Sequence, residues 1–191
     1  MTDIILASAS PRRAELLDQI GISYHKQVVD IDESSLSQEA SEDLVQRLAI
    51  EKSQAIKDQK LPVLGSDTLG VIGNELLVKP RDIEHAIQML SAMSGRWHKI
   101  LTAVAITHNN ETNVLLNINR VLFRPISEAE IKAYWHTGEP QDKAGAYAIQ
   151  GLAASFIQQI EGSYSGIMGL PLFETVKLLK QVGVSVISYD K

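Results

Sequence analysis

Apolar positions along the chain come in short runs and longer helical stripes, alternating from end to end. Ile4, Ile5 and Leu6 form a short run that predicts a buried strand. The small residues Ala7, Ser8 and Ala9 follow, then Ser10 at a helix N-cap position with Pro11 as the first helical residue. That helix should carry Leu16 and Leu17 inward and stop at Gly21, which suits a left-handed residue beyond its end. Residues 24–29 predict a second strand, leading into an acidic loop with Asp30, Asp32 and Glu33. From about Ser41 a helical stripe runs through Leu44, Val45, Leu48, Ala49, Ala55 and Ile56, with Glu42 and Asp43 in the dipole-favoured first turn.

Residues 63–65 read as a strand that ends in Ser66-Asp67-Thr68, with 69–72 extending it beyond a kink at Gly70. Gly73-Asn74 is a hairpin turn signal, and 75–78 return as the partner strand. Pro80 then holds Lys79 extended. An amphipathic helix is expected over 82–93 with Ile83, Ala86, Ile87, Leu90 and Met93 on one face, ended by Ser94-Gly95. Two long strands, 97–108 and 112–124, should pair around Asn109-Asn110. Ser127-Glu128-Ala129-Glu130 is a capping box, Ile126 and Ile131 are placed as its hydrophobic staple, and the helix should stop at Gly138. Residues 139–151 are too polar and glycine-punctuated for a core element; an ordered loop of this length is usually functional. A strand over 152–160, a small-residue loop over 162–166, a helix with Leu172, Val176 and Leu179 inward, and a closing strand over 184–188 complete the order. The pattern is that of an α/β protein with a mixed sheet.

Composition narrows the class. At 191 residues, 45% hydrophobic and 21% charged, the chain suits one compact domain covering 1–191, with room for two lobes sharing a sheet. No apolar run is long enough to cross a bilayer and the first residues lack signal-peptide features, so no membrane partner and a cytoplasmic location are expected. The absence of cysteine excludes disulfides, thiolate catalysis and zinc–sulfur sites. The five histidines show no metal-ligand spacing. A net charge of −5 argues against long nucleic acid as a partner, though not against a small anion held by local cations.

Candidate chemistry begins at residues 4–13. A strand, a small-residue turn and a helix N-terminus leave backbone N–H groups aimed at one spot, and Arg12 and Arg13 add forked cations suited to phosphate. The same residues also fit an ordinary helix start with solvated arginines. Asp30, Asp32 and Glu33 fit either a solvated turn or oxygen ligands for a hard cation such as Mg²⁺. Asp67 is placed at a strand end, where α/β sheets open their ligand clefts, or else simply begins a turn. Lys52 and Lys79 read as cleft cations or as surface charges. Taken together these ingredients fit metal-assisted phosphoryl chemistry. Neither Gly-x-x-x-x-Gly-Lys-[Ser/Thr] nor Gly-x-Gly-x-x-Gly occurs.

Ser8-Ala9-Ser10-Pro11-Arg12-Arg13, Gly65-Ser66-Asp67-Thr68, Lys79-Pro80, Ser94-Gly95, the run from Asp142 to Gly151, Gly162-Ser163-Tyr164 and Met168-Gly169-Leu170-Pro171-Leu172 together resemble the Maf family of nucleoside triphosphate pyrophosphatases, the septum-formation inhibitor proteins. The blocks keep the family's order over nearly the whole chain. The resemblance implies a curved mixed sheet flanked by helices, with two lobes around a central cleft, as in Maf and ITPase-like folds. It implies hydrolysis of a nucleoside triphosphate to monophosphate and pyrophosphate with a divalent cation, Mg²⁺ or Mn²⁺. Asp67 matches the proton acceptor, with Lys52 and Lys79 as further catalytic residues. Arg13 matches a phosphate contact, with Ser8 and Ser10 beside it as further phosphate contacts, and Glu33 matches a polar cleft residue; chemically, Glu33 and Asp67 are read as sharing the metal, with Asp67 also deprotonating or orienting the water. Arg12, Thr68 and Gln150 match the specificity positions of members acting on dTTP and UTP; a Gln amide complements the O4 and N3–H edge of uracil or thymine. Family members often form homodimers. Two further readings accompany the resemblance: cleansing of modified pyrimidine nucleotides, and a nucleotide-binding regulator of septum formation without turnover.

Overall fold

A computed structural model of the chain describes residues 3–57 and 60–186. Its strands are β1 (Ile4–Leu6), β2 (Tyr24–Lys26), β3 (Val63–Ile72), β4 (Glu75–Leu77), β5 (Trp97–His108), β6 (Glu111–Phe123) and β7 (Ile157–Glu161). Its α-helices are α1 (Pro11–Gln19), α2 (Ser41–Gln54), α3 (Ile83–Met93), α4 (Glu128–Trp135), α5 (Tyr164–Met168) and α6 (Leu172–Gln181). The seven strands form one mixed sheet in the order β2-β1-β3-β5-β6-β7, with β4 paired to β3 off that path. β1 runs parallel to both β2 and β3, in register Ile4 with Tyr24 and Ile5 with Val63, whereas β4 and β7 pair antiparallel with β3 and β6. Among the described residues no helix is long and apolar enough to cross a membrane.

The chain divides into two compact units: Met1–Thr68, Thr102–Asn117 and Gly169–Lys191 in the first, Leu69–Leu101 and Ile118–Met168 in the second. In the first, Ile5, Ala7, Ile56 and Val63 pack as one apolar cluster between β1, β3 and the end of α2. The second has a larger core in which Phe123 is fully buried and meets His98, Tyr147 and Phe156 edge to face.

Local signals explain most boundaries. Gly21 ends α1 at φ 70°, and Asn109 and Asn110 turn the β5–β6 hairpin at φ 51° and 63°, all left-handed. The Ser127–Glu130 capping box forms on both sides, and Ile126 and Ile131 are buried in the same cluster.

Other expectations need correction. The second strand stops at Lys26, opposite Leu6 at the end of β1; the Gln27 N–H makes the last bond to that strand, to Leu6 O at 3.0 Å. α2 ends at Gln54, leaving Ala55 exposed as its cap residue while Ile56 still packs inward. In α3 the inward face holds Met89 rather than Ile83, and in α6 it holds Thr175 and Leu178 rather than Leu172 and Val176. Residues 139–151 do enter the core: two short 3-10 turns span Glu139–Asp142 and Ala144–Ala146, residues 145–149 are buried, and a third turn follows at Leu152–Phe156. The strand expected over 152–160 therefore begins only at Ile157, and the loop expected over 162–166 runs into α5. Of the closing strand, residues 184–186 are not extended into the sheet, and 187–188 lie outside the described residues.

Candidate active site

β1 delivers the chain to the small-residue turn of the first unit. The Ala7 N–H donates to Leu64 O at 2.9 Å, which fixes the turn beside β3. Ser8 N–H donates back to Leu6 O at 3.0 Å, and Ser10 N–H donates to Ser8 Oγ at 3.2 Å. Ser10 does occupy the N-cap position, but its hydroxyl makes no capping bond, contrary to the usual role of a serine there. The first-turn N–H groups of α1 are thus left unclaimed by the Ser10 side chain, and Pro11 has none to satisfy. Lys26 reaches over from β2 and donates from Nζ to Ala9 O at 2.8 Å.

Arg13 projects from the first turn of α1 and uses its fork to tie three segments together. Nε donates to Gly169 O at 2.9 Å, Nη1 to Ser8 Oγ at 3.0 Å and Nη2 to Thr68 Oγ1 at 3.4 Å. Burial pulls the Arg13 pKa down, Asp67 opposes that pull, Arg12 adds to it and Glu33 opposes it again. Thr68 also accepts from Thr102 Oγ1 at 3.1 Å. Ser66 donates to both Ala103 O and Gly169 O, at 2.8 and 3.0 Å.

Asp67 lies in the middle of β3, not at its end. The polar run Ser66-Asp67-Thr68 remains in the sheet because each side chain has a partner, so the usual penalty for burying it is removed. Its partner comes from α2. A Cβ at Gly65 would stand 2.4 Å from Ala49 O and 2.6 Å from Ser53 N, so the missing side chain lets α2 lie directly on β3. Lys52, one turn along from Ala49, then places Nζ 2.6 Å from Asp67 Oδ1 and 2.6 Å from Glu33 Oε1. Lys52 and Asp67 are buried, whereas the Glu33 side chain is 62% exposed.

The loop carrying Glu33 is pinned by Arg47. Its Nε and Nη2 clasp the Glu39 carboxylate at 2.7 and 2.9 Å, Nη2 also donates to Ser34 O at 2.9 Å, and Nη1 meets Glu51 at 3.1 Å. The clasp, with the Leu36 N–H, holds the Glu39 carboxyl down at about 2.

Eight of the ten site residues read from the sequence fall in this unit: Ser8, Ser10, Arg12, Arg13, Glu33, Lys52, Asp67 and Thr68. Hydrogen bonds and ion pairs link Ser10 through Ser8 and Arg13 to Thr68, and Asp67 through Lys52 to Glu33. Arg12, partly buried, lies near enough to Arg13 to oppose its charge. Lys79 and Gln150 belong to the second unit, where both are exposed. Sequence reasoning missed Lys26, Thr102 and Gly169. Gly169 had a signal in its motif block: it sits at φ 118°, and a Cβ there would come within 3.4 Å of Thr68 Oγ1 and 3.6 Å of Arg13 Nε.

Two carboxylates share one ammonium here, so the trio keeps a net negative charge and hard oxygen donors, which fit Mg²⁺ or Mn²⁺. Among the described residues no three His, Cys, Asp or Glu converge to hold a metal unaided. Phosphate oxygens or water would have to complete the ligand set, the usual situation for Mg²⁺.

Fold and site define the class: an α/β protein with a polar turn before a helix N-terminus, and with a sheet carboxylate and a loop carboxylate joined by one lysine. The chain belongs to the Maf-like protein family, whose model matches residues 3–182. It is similar to the dTTP/UTP pyrophosphatase of Methylobacillus flagellatus, 50% identical over 190 residues that cover 97% of this chain and 96% of that one. The dTTP/UTP pyrophosphatase of Hahella chejuensis is 48% identical over 188 residues, covering 96% and 94%. That of Escherichia coli O6:K15:H31 is 47% identical over 182 residues, covering 94% and 92%. Among solved structures, the Staphylococcus aureus Ham1 protein is matched with a TM-score of 0.47 and 17% identity, over 63% of this chain and 71% of that one.

Proposed function

We propose that this chain hydrolyses dTTP and UTP to the nucleoside monophosphate and pyrophosphate. Full-length relatives near half identity bear that activity in their names. The observation that carries the reading in the structure is Lys52, whose ammonium joins Glu33 to the buried Asp67.

In this mechanism Asp67 orients a water molecule and takes its proton as the oxygen bonds to the α-phosphorus. The bond from that phosphorus to the bridging oxygen breaks, and the pyrophosphate departs with the electron pair. Glu33 and Asp67 would hold the divalent cation, Mg²⁺ or Mn²⁺, which neutralises phosphate charge when bound. Lys52 holds the Asp67 carboxylate in place. Arg13, Ser8, Ser10 and the N–H groups at the start of α1 serve the phosphates; each donor aimed at developing charge is worth roughly 2–4 kcal/mol. Lys79 keeps the catalytic role, and Arg12, Thr68 and Gln150 the specificity roles, that the family resemblance gives them. The same reading puts the protein in the cytoplasm, where nucleoside triphosphates are made and used, as a single domain of two lobes able to form a homodimer.

A nucleotide panel with separate detection of pyrophosphate and orthophosphate tests this. The expected result is pyrophosphate from dTTP and UTP, lost on adding EDTA and restored by Mg²⁺ or Mn²⁺. Orthophosphate as the first product, or tight nucleotide binding without turnover, rejects it. Faster turnover of modified pyrimidine triphosphates would shift the substrate within the same chemistry.

A further inference from the structure

Gln150 is exposed, so its side-chain direction is set by the backbone that carries it. Both flanks of that backbone are held inside the second unit. Before it, Tyr147 and Ile149 are buried, and Tyr147 Oη lies 2.7 Å from Nε2 of the buried His98. The Gly151 N–H closes a turn onto Ala148 O at 3.1 Å. After it, the Glu139 carboxylate receives the Leu152 N–H at 2.8 Å on Oε2, and the Ala153 N–H at 3.3 Å on Oε1. Oε1 also accepts from the buried Tyr134 hydroxyl at 2.7 Å.

The fit is tight enough to dictate the neighbouring residue. A Cβ at Gly151 would fall 2.3 Å from both oxygens of Glu139, so the carboxylate lies directly against the backbone next to Gln150. Glu139 is itself set in place: Gly138 turns left-handed at φ 81°, Pro140 is buried, and the Glu139 N–H donates to Thr137 Oγ1 at 3.3 Å. Its partners are neutral donors, a hydroxyl and two amides, rather than a cation. That is the arrangement of a group that fixes a backbone, and a surface carboxylate rarely meets it.

We infer that Glu139 is a positioning residue for base recognition, holding the Ala148–Leu152 turn so that the Gln150 amide presents a fixed donor and acceptor to a pyrimidine edge. The inference rests on the proposed dTTP/UTP activity and on Gln150 as the reader of the base. Glu139→Gln keeps the shape but sets an amide NH₂ where a carboxylate oxygen accepts a backbone N–H, loosening the turn.

The test compares kcat/KM for UTP, CTP, ATP and methyl triphosphate in the wild type, Glu139→Gln, Gln150→Ala and the double variant, each checked for an unchanged melting profile. The expected outcome is a drop of roughly tenfold in the UTP-over-ATP ratio of Glu139→Gln, carried by KM for UTP, with hydrolysis of the base-free methyl triphosphate unchanged. Adding Glu139→Gln to Gln150→Ala should change the ratio no further. Gly151→Ala, at a backbone conformation alanine adopts freely, should displace the carboxylate and lower the same ratio, and it stands in if Glu139→Gln folds poorly. A wild type that discriminates pyrimidines while folded Glu139→Gln and Gly151→Ala keep its ratio overturns this inference alone. Losses that multiply in the double variant, or fall equally on methyl triphosphate, overturn it too. A wild type that yields no pyrophosphate from any nucleotide overturns the proposed function and this inference with it.

Discussion

Lys52 Nζ and Asp67 Oδ1 stand 2.6 Å apart with both side chains buried, one on α2 and one in the middle of β3. A carboxylate kept dry is useful as a base only if a charge holds it in place, and Lys52 also hands it a second carboxylate in Glu33. Asp67→Asn should therefore lower kcat by about 10²–10⁴-fold, the usual worth of a positioned general base. Lys52→Met leaves Asp67 without its cation in a buried position, so it should lose stability by about 3–5 kcal/mol as well as activity. Urea unfolding and steady-state kinetics on both variants separate the two effects: Asp67→Asn retaining full kcat would remove Asp67 from the chemistry.

Gly65 lets that pair form. Gly65→Ala must push α2 away from β3, because its Cβ would otherwise overlap Ala49 O and Ser53 N. Such overpacking costs about 1–3 kcal/mol, and moving α2 also withdraws Lys52 from Asp67. The expected result is a lower melting temperature together with a fall in kcat/KM larger than the stability loss alone produces. An Ala variant of wild-type activity would mean that α2 need not lie so close.

Arg47 bears on Glu33 through the loop. It clasps Glu39 and Ser34 O on the segment that presents Glu33 to Lys52. With Glu33 as a ligand of the divalent cation, Arg47→Met should raise the Mg²⁺ concentration for half-maximal activity by about 10–100-fold. It should also lower the melting temperature, since the clasp is largely covered, with the Glu39 side chain 8% and that of Arg47 22% exposed, and Glu39 would lose its cation there. An unchanged Mg²⁺ titration would separate the loop from the metal.

The structure also shows which parts of a site a sequence exposes. Elements with their own local chemistry were legible: the Ser127–Glu130 box, the Asn109-Asn110 turn and the Ser8-to-Arg13 turn all lie where the pattern put them. Asp67 was read as a strand end because three polar residues normally stop a buried strand. Only distant partners, Lys52, Thr102 and Gly169, allow the strand to continue through them. Residues 145–149 looked too polar around them to enter a core. They do so because Tyr147 finds His98, a residue 49 positions away, and no local pattern announces such a pairing. Family resemblance singled out Gln150 within the polar loop over 139–151, and chose the cleft reading of Lys52 over the surface one that its helix position allowed.

His98 gives the second unit a pH dependence that can be measured. It is 2% exposed, its Nδ1 has no partner among the described residues, and burial pushes its pKa down to about 4. The unfolded chain binds a proton at this histidine near pH 6.5, while the folded protein refuses it until about pH 4. Between those values the unfolded state holds more protons, so stability falls as the pH is lowered, by up to about 3 kcal/mol at the bottom of the window. Tyr147, whose hydroxyl is pushed upward by burial, stays neutral throughout and does not contribute. Urea unfolding of the wild type at pH 7, 6, 5 and about 4.5 should show this slope, and His98→Gln, which can still bond the Tyr147 hydroxyl, should flatten it. An equal slope in both proteins would assign the acid sensitivity to the carboxylates instead, whose protonation is expected lower on the pH scale, as at Glu39 and Glu130.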